Sequence, residues 1–255
     1  MLKRIRLGQI YAHQVTFSEA LSCIGDLIEQ GRGGFVVTPN VDHVVQAEES
    51  EALRAAYQSA SLSLVDGKPL VWLSHWMGEA LPEKISGSDL VEPLIREASK
   101  EGWRVFLLGA APGVGAKAAE VLQRDNPGLQ LAGVHSPPFG FDEDEAECQK
   151  VLSMIAEAKA DLVLVALGCP KQELWMHRYK DALAPAVVLG IGATLDFIAG
   201  NVQRAPKWMS NAGLEWAYRL AREPRRLAHR YLVRDPQIVK VAWRMLRLPK
   251  DARAD

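Results

Sequence analysis

The sequence predicts an α/β fold: a largely parallel sheet with helices on both faces, plus a basic helical C-terminal appendage. Three observations carry this. From residue 33 to residue 192, short apolar runs bounded by Gly, Pro and polar residues alternate with stretches of helical period, and strands that alternate with helices pair in parallel. Some runs are apolar without interruption, above all Asp161-Leu-Val-Leu-Val-Ala-Leu-Gly168, which reads as a strand buried on both faces. After Arg204 the strand pattern stops and helices rich in Arg and Trp take over. The division that follows is an α/β core over 1–203 and a basic helical appendage over 204–255.

Taken in order, residues 1–15 read as a short strand or hairpin. Thr16-Phe-Ser-Glu19 is a capping box opening an amphipathic helix to about Gln30. Gly33-Gly-Phe-Val-Val-Thr-Pro-Asn40 is a strand that ends in polar residues. A helix to about Ser59 follows, with Val44, Val45, Ala47 and Leu53 on its apolar positions. Leu62-Ser-Leu-Val-Asp-Gly67 is a strand ending on a carboxylate, residues 68–78 a Trp-rich helix, and Ser86-Gly-Ser-Asp89 the cap of a helix to about Lys100. Arg104–Gly109 is a buried strand, followed by a turn and a helix from about Val114 to Arg124. Leu129–Val134 is the next strand. Asp142 with Glu145 is an N-cap pair for a helix to Ala158. The run from Asp161 then leads through Gly168-Cys-Pro-Lys-Gln172 into another helix, and Ala186-Val-Val-Leu-Gly-Ile-Gly192 is the last strand.

Composition narrows the class. The chain has 255 residues, 48% of them hydrophobic, enough for a real core. The basic start Met1-Leu-Lys-Arg-Ile-Arg6 is not followed by an apolar run, so no signal peptide is expected. No stretch approaches the ~20 apolar residues that span a bilayer. Three widely spaced cysteines, Cys23, Cys148 and Cys169, suit a reducing cytoplasm. Net charge is −1, yet Arg204–Lys250 holds twelve Lys or Arg against three acids, so the tail is strongly basic and suits a phosphate-rich surface.

If the sheet is parallel, four strand ends share one edge: Thr38-Pro-Asn40, Asp66-Gly67, Gly109-Ala-Ala-Pro-Gly113 and Gly168-Cys-Pro-Lys-Gln172. Ligands of open α/β sheets bind at that edge. Asp66 can serve there as a general base, or it caps the helix that starts at Lys68-Pro69. The Gly109–Gly113 turn precedes a helix whose free N–H groups favour phosphate, or it is only a tight strand-to-helix turn. Lys171, Gln172 and Glu173 belong to a site or to a solvated first helical turn. Asp142-Glu-Asp144 sits in a helix start rather than in a metal-binding Asp-x-Asp site. The six histidines show no i,i+4 pair and no carboxylate partner in sequence, so no metal ligand is expected. Cys169 reads as a structural thiol.

Together these residues resemble the WecG/TagA/CpsF family of bacterial glycosyltransferases, glycosyltransferase family 26. The likeness rests on Thr38-Pro-Asn-Val-Asp42, Val65-Asp-Gly-Lys-Pro69, Ile85-Ser-Gly-Ser-Asp89, Phe106-Leu-Leu-Gly-Ala-Ala-Pro-Gly113, Leu167-Gly-Cys-Pro-Lys-Gln-Glu173, Gly190-Ile-Gly-Ala-Thr-Leu-Asp-Phe-Ile-Ala-Gly200, Arg204-Ala-Pro206 and Gly213-Leu-Glu-Trp-Ala-Tyr-Arg-Leu220, in order over nearly the whole chain. The resemblance implies a Rossmann-like, inverting, metal-independent transferase with a UDP-sugar as co-substrate and no cofactor. It implies an N-acetylmannosamine-type sugar and an acceptor sugar on a polyprenyl diphosphate. It places the enzyme in the cytoplasm, peripheral on the inner face of the cytoplasmic membrane, in cell-surface polysaccharide synthesis. It also implies that Asp66 is the base, that Thr38, Asn40 and Gln172 line the sugar site, and that Gly109, Ala110, Ala111, Pro112 and Gly113 hold the nucleotide diphosphate. Lys84 stands where relatives tend to carry arginine, and keeps the charge without the bidentate fork.

Lacking a metal, such a transfer needs cations against the departing UDP, and Lys171 and the tail arginines are the candidates. Arg219, Arg222, Arg226 and Arg230 recur at helical spacing, although Pro224 breaks or restarts the helix. Asp235-Pro236 reads as an N-cap with Pro in the first turn. After it Ile238, Val241 and Met245 share one face, with Lys240, Arg244 and Arg247 on another. The tail therefore docks on an anionic membrane surface and completes the site, or it packs on the core with its charges in water. Two other classes compete. A nucleotide-dependent oxidoreductase would want G-x-G-x-x-G after the first strand, which is absent. A nucleic-acid binder leaves the polar strand ends unexplained and lacks an RNP-type or zinc motif, so no nucleic-acid partner is expected. A different hexose as the transferred sugar, and homo-oligomerisation, stay open.

Overall fold

The computed structural model describes residues 2–249 and 252–253, the side chains of Lys207 and Asn211 excepted. Met1, Lys250, Asp251, Ala254 and Asp255 lie outside the described residues, and Lys250 is one of the basic residues counted in the tail.

The chain opens with an antiparallel hairpin, β1 (Arg4–Leu7) and β2 (Ile10–His13). Helix α1 (Phe17–Glu29) starts on the expected capping box: the Thr16 side chain accepts from the Glu19 N–H, and the Glu19 carboxylate accepts from the Thr16 N–H at 2.7 Å. Strand β3 (Gly34–Val37) leads to α2 (Val41–Glu49) and α3 (Glu51–Ser59). The single helix expected to Ser59 is broken at Ser50, whose extended backbone ends α2 and whose hydroxyl caps α3 through the Leu53 N–H, at 3.2 Å. Strand β4 is only Leu62–Ser63. The chain beyond it stays tied to its neighbour by the bonds Leu64 N–H to Val37 O (2.9 Å) and Asp66 N–H to Pro39 O (2.8 Å). Then come α4 (Lys68–Trp76), α5 (Gly87–Glu101, capped by Ser86), β5 (Arg104–Gly109), α6 (Val114–Asp125) and β6 (Gln130–His135).

A 3₁₀ turn (Phe141–Glu143) precedes α7 (Glu145–Glu157). The N-cap is Asp144, which accepts from the Ala146 and Glu147 N–H groups, and not the expected Asp142. The 3₁₀ turn shifts the helix start and frees the Asp142 carboxylate for Lys171, 3.0 Å away. Next are β7 (Leu162–Ala166), α8 (Lys171–Arg178), α9 (Lys180–Leu183), β8 (Val187–Gly190) and α10 (Thr194–Ile198).

Six strands form one all-parallel sheet in the order β4-β3-β8-β7-β5-β6. Alternate residues of each central strand enter opposite cores, as strand geometry requires. Phe35, Val37, Phe106, Leu108, Val163, Val165 and Val188 face a cluster built with α2, α3, α7 and α8. Val36, Val105, Leu107, Leu162, Leu164, Val187 and Leu189 face another, built with α1, α5 and α6. Helices thus cover both faces, as the unbroken apolar runs predict.

The tail is built from helices joined by short non-helical links: α11 (Lys207–Asn211), α12 (Glu215–Arg222), α13 (Pro224–His229), a π turn (Arg230–Arg234), a 3₁₀ turn (Asp235–Gln237) and α14 (Ile238–Arg247). Pro224 restarts the helix as expected. Asp235 does not cap anything, because the backbone before it is already helical and no side-chain cap bond forms. Helix α14 lies against α2. Val241 and Met245 are buried there, worth about 1.5–3 kcal/mol each, and Arg244 meets the Glu48 carboxylate with both contacts at 2.7 Å. Val239 and Trp243, two positions from the buried pair, lie on the far side of α14 and are exposed, as are Leu232 and Val233 of the π turn. No helix among the described residues is long and apolar enough to cross a membrane.

Candidate active site

In a parallel sheet all carboxyl ends point one way, and strand order fixes who is next to whom. Along this edge Asp66 follows β4, Thr38 and Asn40 follow β3, Gly168–Gln172 follow β7, and Gly109–Gly113 follow β5. Four strand spacings separate β4 from β5, about 19 Å at ~4.8 Å each. Asp66 and the glycine turn are therefore the two ends of one long edge.

At the first end, Gly67 has φ +130° and is the N-cap of α4 without any side-chain cap bond. Asp66 is thus no helix cap. It lines a cleft of about 310 Å³ instead. The Asp66 carboxyl is pushed up to about 6. Burial is the main cause; the Glu215 and Asp89 carboxylates add to it, and Lys84 and Arg219 oppose it. Lys84 is held by Asp89 at 2.9 Å, and Asp89 also binds Arg204. Burial alone would raise Asp89, but hydrogen bonds from Ser86, Lys84 and Arg204 outweigh it and bring it to about 2. Asp89 is therefore a fixed anion that orients Lys84. A carboxyl titrating near neutrality beside a mobile-proton substrate can take a proton.

The cleft has two walls. Asn40, Val41, Asp66 and Pro69 come from the core; Glu215, Trp216, Arg219, Arg230, Tyr231 and Asp235 come from the tail. Trp216 and Tyr231 meet with their rings tilted 58° to each other and centroids 6.1 Å apart. The walls are joined by charge. The Asn40 side-chain oxygen accepts from the Asp42 and His43 N–H groups at the start of α2 and from Arg230 Nη2 at 3.1 Å. Buried Asp42 takes Arg234 Nη1 at 3.0 Å and lies 3.5 Å from Arg230 Nε. The four tail arginines do not act as one set. Arg219 and Arg230 line the cleft, whereas Arg222 binds the Gln203 side chain and Arg226 pairs with Glu223. The restart at Pro224 separates Arg219 and Arg222 on α12 from Arg226 on α13 and Arg230 in the π turn.

At the other end, Gly109 has φ +101°, and a Cβ there would lie 2.6 Å from the Ala166 carbonyl oxygen. Ala110, a residue with a side chain, also has positive φ, +60°, a sparsely populated conformation that points to function. The turn passes through Ala111 and Pro112 to Gly113, the N-cap of α6 with no side-chain cap bond; the Val114 N–H turns back to the Ala111 carbonyl at 3.0 Å, and the next N–H groups of the twelve-residue helix face an anion. Ser136 donates to the Gly109 carbonyl at 3.0 Å. In the same loop Phe139 is 99% exposed and lies under Lys171 Nζ, 4.8 Å from the ring centroid. Lys171 therefore belongs to the glycine-turn end.

Between the ends, Thr38 is buried against Gly87 of α5. Gln172 is only 3% exposed. Its oxygen accepts from the Gly168 and Gly192 N–H groups at 3.3 and 3.2 Å, and its nitrogen donates to Glu173 at 2.9 Å. Gln172 thus ties the ends of β7 and β8 together and forms the floor of the edge. With Gln172 and Glu173 both buried, the segment is no solvated first turn. His43, which shows no carboxylate partner in sequence, meets Glu173 and Cys169 in space.

Sequence reasoning missed Glu215, Asp42 and Phe139, and it reads Trp216 and Tyr231 as aromatics for a headgroup interface, whereas they line the cleft. Asp42 and Glu215 lie inside quoted motifs, but only the tail's placement gives them a role. Phe139 left a readable signal, an aromatic between Pro-Pro and Gly in the loop that follows a strand.

The profile of the family described as "Glycosyl transferase WecG/TagA/CpsF family" matches residues 5–252. The chain is 37% identical over 199 residues to the N-acetylglucosaminyldiphosphoundecaprenol N-acetyl-beta-D-mannosaminyltransferase of Bacillus spizizenii, covering 78% of this chain and 75% of that protein. It is 33% identical over 197 residues to the protein of the same name from Bacillus subtilis (strain 168), covering 77% and 75%.

Proposed function

The chain belongs to the WecG/TagA/CpsF glycosyltransferase family, and from that premise we propose that it moves an N-acetylmannosamine-type sugar from UDP to a sugar carried on a polyprenyl diphosphate. The observation that carries this reading is Asp66, a carboxyl titrating near 6, in a cleft whose second wall is the basic tail.

The UDP-sugar lies along the strand edge. Its nucleoside end meets the Gly109–Gly113 turn and the N-terminus of α6, with Lys171 nearby, and its diphosphate crosses the middle of the edge so that the anomeric carbon comes within reach of Asp66. Its base stacks on Phe139, the exposed aromatic of the adjoining loop. Its sugar reaches past Gln172 toward Thr38 and Asn40. The acceptor sugar enters the core–tail cleft over Trp216 and Tyr231. Asp66 takes the proton of the attacking hydroxyl as the new bond forms at the anomeric carbon and the bond to UDP breaks. One base and direct displacement give inversion. Cations and helix N–H groups, not a divalent metal, stabilise the leaving diphosphate; Lys84, Arg219 and Arg230 supply charge on the acceptor side.

The tail brings the enzyme to the cytoplasmic face of the membrane. One side of α14 is spent on the core, as in the reading in which the tail simply packs there. Its exposed Val239 and Trp243, with Leu232 and Val233 and the neighbouring Lys and Arg, suit a headgroup interface.

The test is product identification. Purified protein with UDP-N-acetylmannosamine and a short-chain prenyl-diphosphate N-acetylglucosamine should give the disaccharide lipid by mass spectrometry, with inverted anomeric configuration by NMR. Product with UDP-glucose or UDP-galactose alone would favour another hexose; no product with any UDP-sugar would refute the reading.

A further inference from the structure

The β7–α8 turn and the start of α2 enclose a group of side chains that the transfer does not use. His43 stands in the first turn of α2, Cys169 in the turn after β7 and Glu173 in the first turn of α8. His43 and Glu173 are buried, and one ligand atom of each of the three lies within 4.8 Å of the others. None of them lines the core–tail cleft.

We propose that His43, Cys169 and Glu173 bind one transition-metal ion of the zinc type, as a clamp between the two elements. Four features support a ligand set over a chance cluster. Glu173 is fully buried, and its Oε2 has no hydrogen-bond partner among the described residues. A carboxylate removed from water is normally paired or bound to a metal, and no Lys or Arg pairs with this one among the described residues. His43 Nδ1 is engaged by the Tyr57 hydroxyl at 2.6 Å, which leaves Nε2 as the free ring nitrogen. An outer hydrogen bond of that kind is what fixes a ligating imidazole. Thiolate, imidazole and carboxylate are the donors zinc prefers. On a tetrahedral ion such atoms sit about 3.3–3.8 Å apart, given metal–ligand distances near 2.0–2.3 Å, so side-chain rotations close the site. Gln46 Nε2, 3.8 Å from Cys169 Sγ, is placed to donate to a metal-bound thiolate.

Binding replaces the proton on the Cys169 sulfur with the metal, and that proton leaves to solvent. Thiolate and carboxylate then balance the two positive charges. The ion takes no part in sugar transfer. It joins the segment that carries Asn40 and Asp42 to the turn that carries Lys171 and Gln172, and so holds the middle of the strand edge in register.

The experiment uses the full chain, stripped with chelator and titrated with Co²⁺ and then Zn²⁺. The expected result is one Co²⁺ per chain with a thiolate-to-cobalt charge-transfer band, displaced by Zn²⁺. The band should be lost in Cys169→Ala, and affinity should fall at least ~10-fold in Glu173→Gln. Zn²⁺ should raise the thermal midpoint of the wild-type chain and leave that of Cys169→Ala unmoved. Cys169 is half-buried in a turn, so Ala fits, and circular dichroism of the variant checks that it folds. Absence of the band in the wild-type chain, or its persistence in Cys169→Ala, would overturn the proposal. No readout involves transfer, so this proposal and the functional one fail separately.

Discussion

Arg230 donates to the Asn40 side-chain oxygen at 3.1 Å, joining residues 190 positions apart in the chain. The same oxygen caps α2. One atom thus couples the tail to the start of a core helix and to the wall of the cleft.

Cutting that coupling should loosen the tail. Arg230→Ala leaves buried Asp42 with Arg234 as its remaining cationic partner, beside the Gln46 amide that donates to it at 2.9 Å. A buried charge that loses a partner costs about 3–5 kcal/mol in the extreme case, so the tail should open without the core unfolding. Limited proteolysis should cut the variant between Arg204 and Arg234 much faster than wild type, and turnover should fall at least ~10-fold. Unchanged proteolysis would mean that the latch contributes little.

The glycine turn makes a separable prediction. Gly109→Ala drives a Cβ to 2.6 Å from the Ala166 carbonyl oxygen, at a φ of +101°. It should destabilise the fold by about 1–3 kcal/mol. Phe139→Ala removes only an exposed ring, so it should raise the KM for the UDP-sugar several-fold and leave stability and kcat nearly unchanged. A KM equal to wild type would remove Phe139 from the donor site.

Membrane docking predicts a salt-sensitive equilibrium with an apolar part. Sedimentation with anionic vesicles should weaken as salt rises, and the double variant Val239→Ser, Trp243→Ser should bind less at every salt concentration. Binding to neutral vesicles as strong as to anionic ones would refute the electrostatic part.

Metal ions are not expected to serve the chemistry. Adding Mg²⁺ or Mn²⁺ to metal-free reactions should change turnover by less than about twofold, because no catalytic charge is assigned to a metal. A strict requirement for either ion would contradict the assignment of that charge to protein cations and helix N–H groups.

Much of the sheet was legible because its signals are local. The unbroken run at Leu162–Ala166, the glycine at 109 and the capping box at Thr16 each act within a few residues. The site was legible where a strand end carried an unusual residue, as at Asp66. It was not legible where long-range packing decides. Gln172 looks like a surface residue in sequence, yet its amide is consumed by Gly168, Gly192 and Glu173. Arg222 and Arg226 share a spacing with Arg219 and Arg230, but Gln203 and Glu223 hold them instead. Asp142 looked like a cap until a 3₁₀ turn moved the helix start to Asp144. His43 had no partner within reach in sequence, and Cys169 and Glu173 arrive from far along the chain.

The pH dependence follows from Asp66. As a base it must be ionised, so kcat/KM should rise about tenfold per pH unit below an apparent pKa near 6 and level off above it. Stability runs the other way. The folded-state pKa lies above the unfolded value, 3.8, so the folded state binds the proton more tightly. The penalty is absent below about pH 4 and complete above about pH 6, at up to ~3 kcal/mol. Asp66→Asn should therefore match wild-type stability at low pH and exceed it at pH 8, checked by denaturant unfolding at both.

The most direct test is the turnover of Asp66→Asn in the sugar-transfer reaction at pH 8, with UDP-sugar affinity measured on the same protein. The account predicts a loss of at least ~10²-fold in kcat, with donor binding and the folded state intact. Turnover close to wild type would contradict it, and the cleft between core and tail would then not be where the proton is taken.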